Sequence, residues 1–174
     1  ILRIWIPSSR GFLLTTLHIV KNLIWRTEAD TQMCAQKLAA QPGIAHAVIE
    51  LHGDLGAGKT TFVRHLLRAL KVNGHIKSPT YGLVEPHTGQ FKDQALDIWH
   101  FDFYRLQDPR EWSEAGLRDI FTQPGLKLVE WPQQAGADRP TADLVCRIDC
   151  LDQEERRVQF TGQSQIGRSL AGAL

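Results

Sequence analysis

The sequence predicts an α/β sandwich whose mixed sheet has a parallel centre and antiparallel additions. Three observations favour this class. A short apolar strand leads through a glycine-rich turn into an amphipathic helix, further apolar strands follow, and only a polar turn separates the last two strands. The 174 residues, of which 43% are apolar and 22% charged, suffice for one domain with its own core.

The first helix is predicted by the segment Thr27-Glu28-Ala29-Asp30. Its threonine can accept a hydrogen bond from an early helix amide while the aspartate reaches back, which is the capping-box pattern. The helix should run to about Ala40, because Gln41-Pro42-Gly43 follows. Residues 47–51 predict a buried strand, being mostly apolar and rich in β-branched side chains. A wide apolar stripe then predicts a second helix over residues 59–70.

The second half of the chain predicts more strands and one short helix. The strands are expected over residues 95–103, 126–129, 144–151 and 156–160. The last two should form a hairpin, since only a polar turn lies between them. Asp108 followed by Pro109 is a helix-start pattern, and that helix should end near Gly116.

A glycine-rich loop carries the clearest chemical signal. Gly53-Asp54-Leu55-Gly56-Ala57-Gly58-Lys59-Thr60 matches the pattern G-x-x-x-x-G-K-[ST] between a predicted strand and a predicted helix. Glycines let the backbone amides wrap around a phosphate, and the helix N-terminus adds positive partial charge. Lys59 would reach the β- and γ-phosphates, and the Thr60 hydroxyl would ligate Mg²⁺. This predicts a nucleoside triphosphate site, to which we also assign Thr61, and makes the fold a P-loop NTPase-like three-layer sandwich.

Further motifs narrow the class of P-loop protein. The two asparagines, Asn22 and Asn73, belong to no N-K-x-D motif, which disfavours a GTPase, and no G-x-G-x-x-G motif indicates a Rossmann site. A Mg²⁺-ordering acid is expected at the end of a second strand, and Asp102 is the best candidate. His100 should project to the same face of that strand. A surface carboxylate is the alternative for Asp102, and a zinc pair with His100 is disfavoured because a full ligand set is missing.

Four sequence blocks occur in one order within this small chain. They are residues 53–60, Ser78-Pro79-Thr80-Tyr81, His100-Phe101-Asp102-Phe103-Tyr104-Arg105-Leu106 and Val129-Glu130-Trp131-Pro132. Together they strongly resemble the bacterial TsaE (YjeE) family over about residues 22–160. The resemblance implies an ATPase required for threonylcarbamoyladenosine modification of tRNA, next to the anticodon. It implies ATP and Mg²⁺ as cofactors and the TsaD and TsaB synthase subunits as partners, with tRNA met only through that complex.

The same resemblance implies roles for single residues. Lys59 and Thr60 would bind phosphate and Mg²⁺, and Asp102 would help to hold the metal. Ser78-Pro79-Thr80 would form a switch-type segment near the γ-phosphate. Glu130 and Trp131 would flank the nucleotide, with Glu130 orienting the attacking water or the metal shell.

Without the resemblance to a family, the sequence leaves two possible roles open for each of two residues. Glu130 could be a water-positioning carboxylate or a surface acid, and Trp131 could be a packing residue. With the family, we expect Glu130, Lys59 and Asp102 to act in catalysis. We expect Thr60, Asp102 and Glu130 to hold the metal.

The expected function is therefore a weak ATPase that acts as a switch on the TsaB–TsaD synthase. Positioning and charge stabilisation carry most of phosphoryl transfer, so a lone chain with an incomplete set of charges should be slow. A P-loop small-molecule kinase is one alternative. A nucleotide-gated binding module without significant turnover is the other.

Charge and composition limit the partners and the cellular compartment that the sequence predicts. Twenty Lys and Arg against 19 Asp and Glu give a net charge of +1, which argues against a domain that grips nucleic acid electrostatically. Three cysteines without a C-x-x-C pair, and no apolar run of membrane-spanning length, predict a cytoplasmic protein that does not bind membranes. We expect it to be a monomer on its own.

The domain is expected to cover residues 21–162. Residues 1–20 would be a non-native or disordered extension, and residues 163–174 a flexible tail. Met33 is the single methionine, so synthesis is expected to start at Val20, with an over-extended reading frame before it.

Overall fold

The computed structural model describes residues 19–79, 82–137 and 139–174. The strands are β1 (Ile19–Trp25), β2 (Val48–His52), β3 (Val84–Phe91), β4 (Gln94–Asp102), β5 (Leu126–Glu130), β6 (Leu144–Cys150) and β7 (Arg156–Gly162). The α-helices are α1 (Glu28–Ala39), α2 (Lys59–Ala69), α3 (Arg110–Glu114) and α4 (Gln165–Gly172), with 3₁₀ segments at Pro42–His46, Leu117–Thr122 and Pro132–Ala135. Over these described ranges, no helix is both long enough and apolar enough to cross a membrane.

The strands form one mixed sheet in the order β1-β7-β6-β2-β5-β4-β3. The central strands β6, β2, β5 and β4 run parallel to one another. At the edges, β1, β7 and β3 pair antiparallel. The predicted parallel centre with antiparallel additions is therefore confirmed. The glycine-rich loop follows β2, in the middle of the parallel part, where the carboxyl ends of β5 and β4 lie beside it.

Alternation along β4 separates the two layers that cover the sheet. Ile98 is buried in the larger core cluster together with Phe62 and Leu66 of α2. Phe101 is buried in the second cluster together with Trp112 of α3. Because successive strand residues point to opposite faces, odd and even positions of β4 serve different cores. This arrangement is the predicted three-layer sandwich.

The two helix-start signals in the sequence correspond to the starts of helices in the structure. The Asp30 amide donates to Thr27 Oγ1 at 3.4 Å, and the Thr27 amide donates to Asp30 Oδ2 at 2.9 Å, so the predicted capping box starts α1. In front of α3, the Arg110 amide donates to Asp108 Oδ1 at 2.9 Å. The predicted β6–β7 hairpin is also present.

Two edge strands and one helix lie outside the predicted elements. β3 carries Pro86 and mostly exposed side chains, and β1 exposes Ile24. Proline is tolerated on an edge strand because no ladder partner needs its missing N–H. Neither strand shows the buried apolar run by which the central strands were predicted.

The expectation of a flexible tail is wrong, because residues 165–172 form α4. Ser164 caps this helix by accepting from the Gly167 amide at 3.1 Å. Leu170 and Ala171 are fully buried in the larger core cluster, and a Cβ at Gly167 would lie 1.6 Å from the Asp143 carbonyl oxygen. The domain therefore extends beyond residue 162.

The expected N-terminal extension lies outside the described residues except for its last two. Ile19 and Val20 belong to β1, where they pair with Gly162 and Thr161. The domain includes these two residues.

Leu170→Ala tests whether α4 is part of the core. Since Leu170 is fully buried, the change should lower the free energy of unfolding by about 2–5 kcal/mol. Denaturant unfolding measures it, with Ser169→Ala as the control on the exposed side of the same helix. A stability loss no larger than that of the control would mean that α4 does not contribute to the core.

Candidate nucleotide-binding site

The loop between β2 and α2 has the backbone that a phosphate cradle needs. Gly53, Gly56 and Gly58 have φ values of +146°, +80° and +109°. Side chains rarely adopt such values, so glycine is the residue that fits. At Gly53 a Cβ would also lie 2.4 Å from the Ile148 carbonyl oxygen. The loop thus reaches the α2 N-terminus at Lys59 in the conformation that the motif predicts.

Lys59 places its ammonium group inside this loop. Its Nζ donates to the carbonyl oxygens of Gly53 at 2.7 Å and Asp54 at 2.8 Å. The same atom lies 4.1 Å from the ring centroid of Trp131. Burial lowers the pKa of Lys59, while the charge of Glu130 opposes that shift. The group is therefore a largely desolvated cation, which attracts phosphate oxygens more strongly than an exposed one would.

Thr60 connects the loop to the end of β5. Its hydroxyl donates to Glu130 Oε1 at 2.9 Å and Oε2 at 3.0 Å, and Ser78 Oγ lies 3.0 Å from the same hydroxyl. Glu130 is only 2% exposed, and its Oε1 is 2.9 Å from His100 Nε2. The structure thus brings residues that are far apart in sequence onto one carboxylate.

Asp102 lies beside Glu130, because the two residues are register partners at the ends of β4 and β5. The Tyr104 amide donates to Asp102 Oδ1 at 3.0 Å. Burial raises the pKa of Asp102, and the negative charge of Glu130 adds to the rise. Mg²⁺ commonly takes one or two carboxylates together with phosphate oxygens and waters. Asp102, Glu130 and the Thr60 hydroxyl form such a set of oxygen donors.

Trp131 follows directly on β5 and turns its ring toward the loop. Its φ of +55° is left-handed, an uncommon value for a bulky residue. The ring lies over Lys59 and 4.9 Å, centroid to centroid, from Tyr104. A strained backbone that places an aromatic ring against the loop lysine favours a site residue over simple packing.

Two cavities open on either side of the loop. One of about 210 Å³ is lined by Thr60, Ser78, Asp102, Glu130 and Trp131, among others. The other, of about 430 Å³, is lined by the start of α1, by the loop, by Thr61 and by Arg156. Thr61 lines both cavities, whereas the acids Asp102 and Glu130 line the smaller one. Thr80 lies outside the described residues.

Some residues of this site were not assigned to it from the sequence. Ser78 was expected only as part of a switch-type segment, and His100 was considered only as a zinc ligand. Arg156 gave no local signal, yet its Nε donates to the Ala57 carbonyl oxygen at 3.1 Å. In the described ranges, no group of three or more His, Cys, Asp or Glu side chains could hold a metal ion. His100 instead hydrogen-bonds to Glu130.

A strand, a glycine-rich loop and a helix in the middle of a parallel sheet, with acids at the neighbouring strand ends, define a P-loop NTPase-like protein. The family model described as "Threonylcarbamoyl adenosine biosynthesis protein TsaE" matches residues 25–158. The chain belongs to the TsaE family.

Curated relatives carry the name tRNA threonylcarbamoyladenosine biosynthesis protein TsaE. The protein from Haemophilus influenzae is 38% identical over 127 residues, which cover 73% of this chain and 77% of that protein. The one from Aquifex aeolicus is 35% identical over 146 residues, covering 83% and 98%. Among solved structures, YdiB from Bacillus subtilis matches with a TM-score of 0.68 at 29% identity, covering 90% of this chain and 95% of YdiB.

Proposed function

We propose that this chain binds Mg-ATP at the glycine-rich loop and hydrolyses it slowly on its own. In this proposal it acts in tRNA threonylcarbamoyladenosine biosynthesis, as a switch on the TsaB–TsaD synthase. The observation that carries the proposal is the constellation around Thr60. A desolvated lysine, a buried glutamate and a partly buried aspartate meet at the N-terminus of α2.

The two cavities support a nucleotide that spans the loop. The larger cavity has room for a nucleoside, and aromatic, hydroxyl and charged side chains line it. The smaller cavity holds the groups that would act on the terminal phosphate. The loop amides between them would bind the phosphates in the middle.

The chain's own residues account for most of the chemistry. Lys59 would offset charge that develops on the transferred phosphoryl group, and Glu130 would orient the attacking water and accept its hydrogen bond. Asp102 and Thr60 would hold Mg²⁺, which supplies further charge neutralisation between the phosphates when it is bound.

Slow turnover of the isolated chain follows from the same set of charges. Among the described residues that line the smaller cavity, Lys59 is the single cation and no arginine is present. Phosphoryl transfer in related enzymes often requires an arginine that a partner supplies, worth roughly 10³–10⁵ in rate. This supports stimulation by a docked partner.

Phosphate release tests the proposal in three arms: ATP alone, ATP with candidate small-molecule acceptors, and ATP with the TsaB–TsaD pair. We expect slow release alone, no phosphorylated acceptor, and faster release with the pair. Acceptor-dependent ADP formation with a phosphorylated product would favour the kinase alternative. ATP binding without release in any arm would favour a nucleotide-gated binding module.

Asp102→Asn should weaken Mg²⁺ binding in the nucleotide complex, so that tight ATP binding requires more Mg²⁺. The amide keeps the shape of the side chain but removes one of two adjacent negative charges. We expect the Mg²⁺ concentration needed for tight ATP binding to rise about tenfold or more, as for the loss of a metal-ligand contact. Calorimetric ATP titrations at a series of Mg²⁺ concentrations measure this.

Asp97→Asn is the matched control, because Asp97 is exposed on the same strand, β4, and lies outside the residues that line the smaller cavity. It should behave as the unaltered chain does. If Asp102→Asn gives the same Mg²⁺ dependence as this control, Asp102 is a structural residue.

A further inference from the structure

His100 is a fully buried polar side chain with a single hydrogen bond to the described part of the chain. Its exposed fraction is 0%, and its Nε2 lies 2.9 Å from Glu130 Oε1. Its Nδ1 is buried and has no hydrogen-bond partner among the residues that the structure describes. Buried polar atoms are normally paired, and an unpaired one costs stability. Because burial of the unpaired Nδ1 costs stability, the contact of His100 with Glu130 is a candidate for a functional role.

The pairing of β4 with β5 defines where His100 lies relative to Glu130. In the parallel β4–β5 pair, His100 is opposite Leu128, and Asp102 is opposite Glu130. His100 and Asp102 are two residues apart and so share the face that carries α2. On that face, the imidazole contacts Oε1 of the Glu130 carboxylate, and the Thr60 hydroxyl of α2 contacts both carboxylate oxygens.

These contacts fix the plane of the carboxylate. The last torsion of a glutamate side chain is broad and weakly restrained, so an unsupported carboxylate would sample several orientations. An ionised carboxylate only accepts hydrogen bonds, so His100 Nε2–H is the donor. With Thr60 on both oxygens and His100 on Oε1, one orientation is held before any ligand binds.

We propose that His100 is a positioning residue for Glu130. Its Nε2–H holds the carboxylate turned toward Thr60 and, in the nucleotide complex, toward Mg²⁺ and the attacking water. This inference rests on the proposed ATPase function. Partners of this kind behind a metal-binding carboxylate are typically worth 10–100-fold in metal affinity or activity.

His100→Met and His100→Gln separate positioning from bulk. Methionine fills the space without a donor, whereas the glutamine amide can still reach Glu130. We expect His100→Met to bind ATP at saturating Mg²⁺ within about threefold of the unaltered chain. It should need roughly tenfold more Mg²⁺, and its single-turnover hydrolysis should fall about 10–100-fold. His100→Gln should recover most of both losses.

A double-mutant cycle shows whether His100 acts through Glu130. If it does, His100→Met added to Glu130→Gln should lower the residual hydrolysis rate by less than about threefold. A full second loss of 10–100-fold would mean that the two residues act independently, which would overturn the proposal. Unchanged hydrolysis and Mg²⁺ dependence in His100→Met alone would overturn it as well.

Two further measurements keep the test decisive. If His100→Met does not fold, His100→Gln is compared with His100→Asn, whose shorter amide cannot reach Glu130. Equal hydrolysis rates for these two variants would overturn the proposal.

The imidazole ¹⁵N spectrum adds a readout that needs no ATP: His100 should be the Nε2–H tautomer, and Glu130→Gln should shift its signal. Absence of ATP binding by the unaltered chain would show up separately, as failure of the proposed function itself.

Discussion

Lys59→Ala should abolish ATP binding while leaving the fold intact. Lys59 is 4% exposed, and a phosphate oxygen would replace the contacts of its ammonium group to Gly53 and Asp54. Charge-assisted hydrogen bonds are worth about 1.5–3 kcal/mol each, and two of them lost would weaken affinity more than 100-fold. Calorimetric titration with Mg-ATP measures this loss.

Lys37→Ala is the matched control, since it removes one lysine from an exposed position of α1. It should bind ATP as the unaltered chain does. Circular dichroism and thermal unfolding of Lys59→Ala show that lost binding does not reflect lost structure. Undiminished affinity in Lys59→Ala would contradict the assignment of the glycine-rich loop as the phosphate site.

The central elements could be predicted because their signals are local. β2 is a short apolar run, α2 carries an apolar stripe, and the loop between them follows a fixed spacing. Edge strand β3 and helix α4 depend on tertiary partners instead. Pro86 is acceptable only because β3 lies at the edge of the sheet, and α4 is held by burial of Leu170. The local sequence pattern indicates neither the edge position of β3 nor the burial of Leu170.

In the candidate site, too, local motifs could be predicted from the sequence, whereas contacts between strands could not. Lys59 and Thr60 follow from the loop motif, and Asp102 follows from its place at the end of a predicted strand. The resemblance to a family pointed to Glu130. The contact between His100 and Glu130 arises from the parallel register of β4 and β5, across 30 positions of sequence. Sequence spacing alone paired His100 with Asp102, because both lie on one strand face. Only the neighbouring strand shows that Glu130 is its partner.

Glu130→Gln should separate ATP binding from hydrolysis. The amide oxygen can still accept from Thr60 and from His100, so the buried hydrogen bonds persist and only the charge is lost. Lys59 and the loop amides are untouched, so ATP affinity at saturating Mg²⁺ should stay within about threefold. Hydrolysis should fall about 10²–10⁴-fold, the usual contribution of a positioned base.

Single-turnover hydrolysis and calorimetry on the same preparation distinguish the two effects of Glu130→Gln. Glu114→Gln, at an exposed position of α3, is the control and should change neither. Unchanged hydrolysis in Glu130→Gln would contradict a catalytic role for this carboxylate. If hydrolysis is lost but tRNA modification by the synthase is still supported, turnover is dispensable. The chain would then act as a nucleotide-gated binding module, since ATP binding would be its only remaining input.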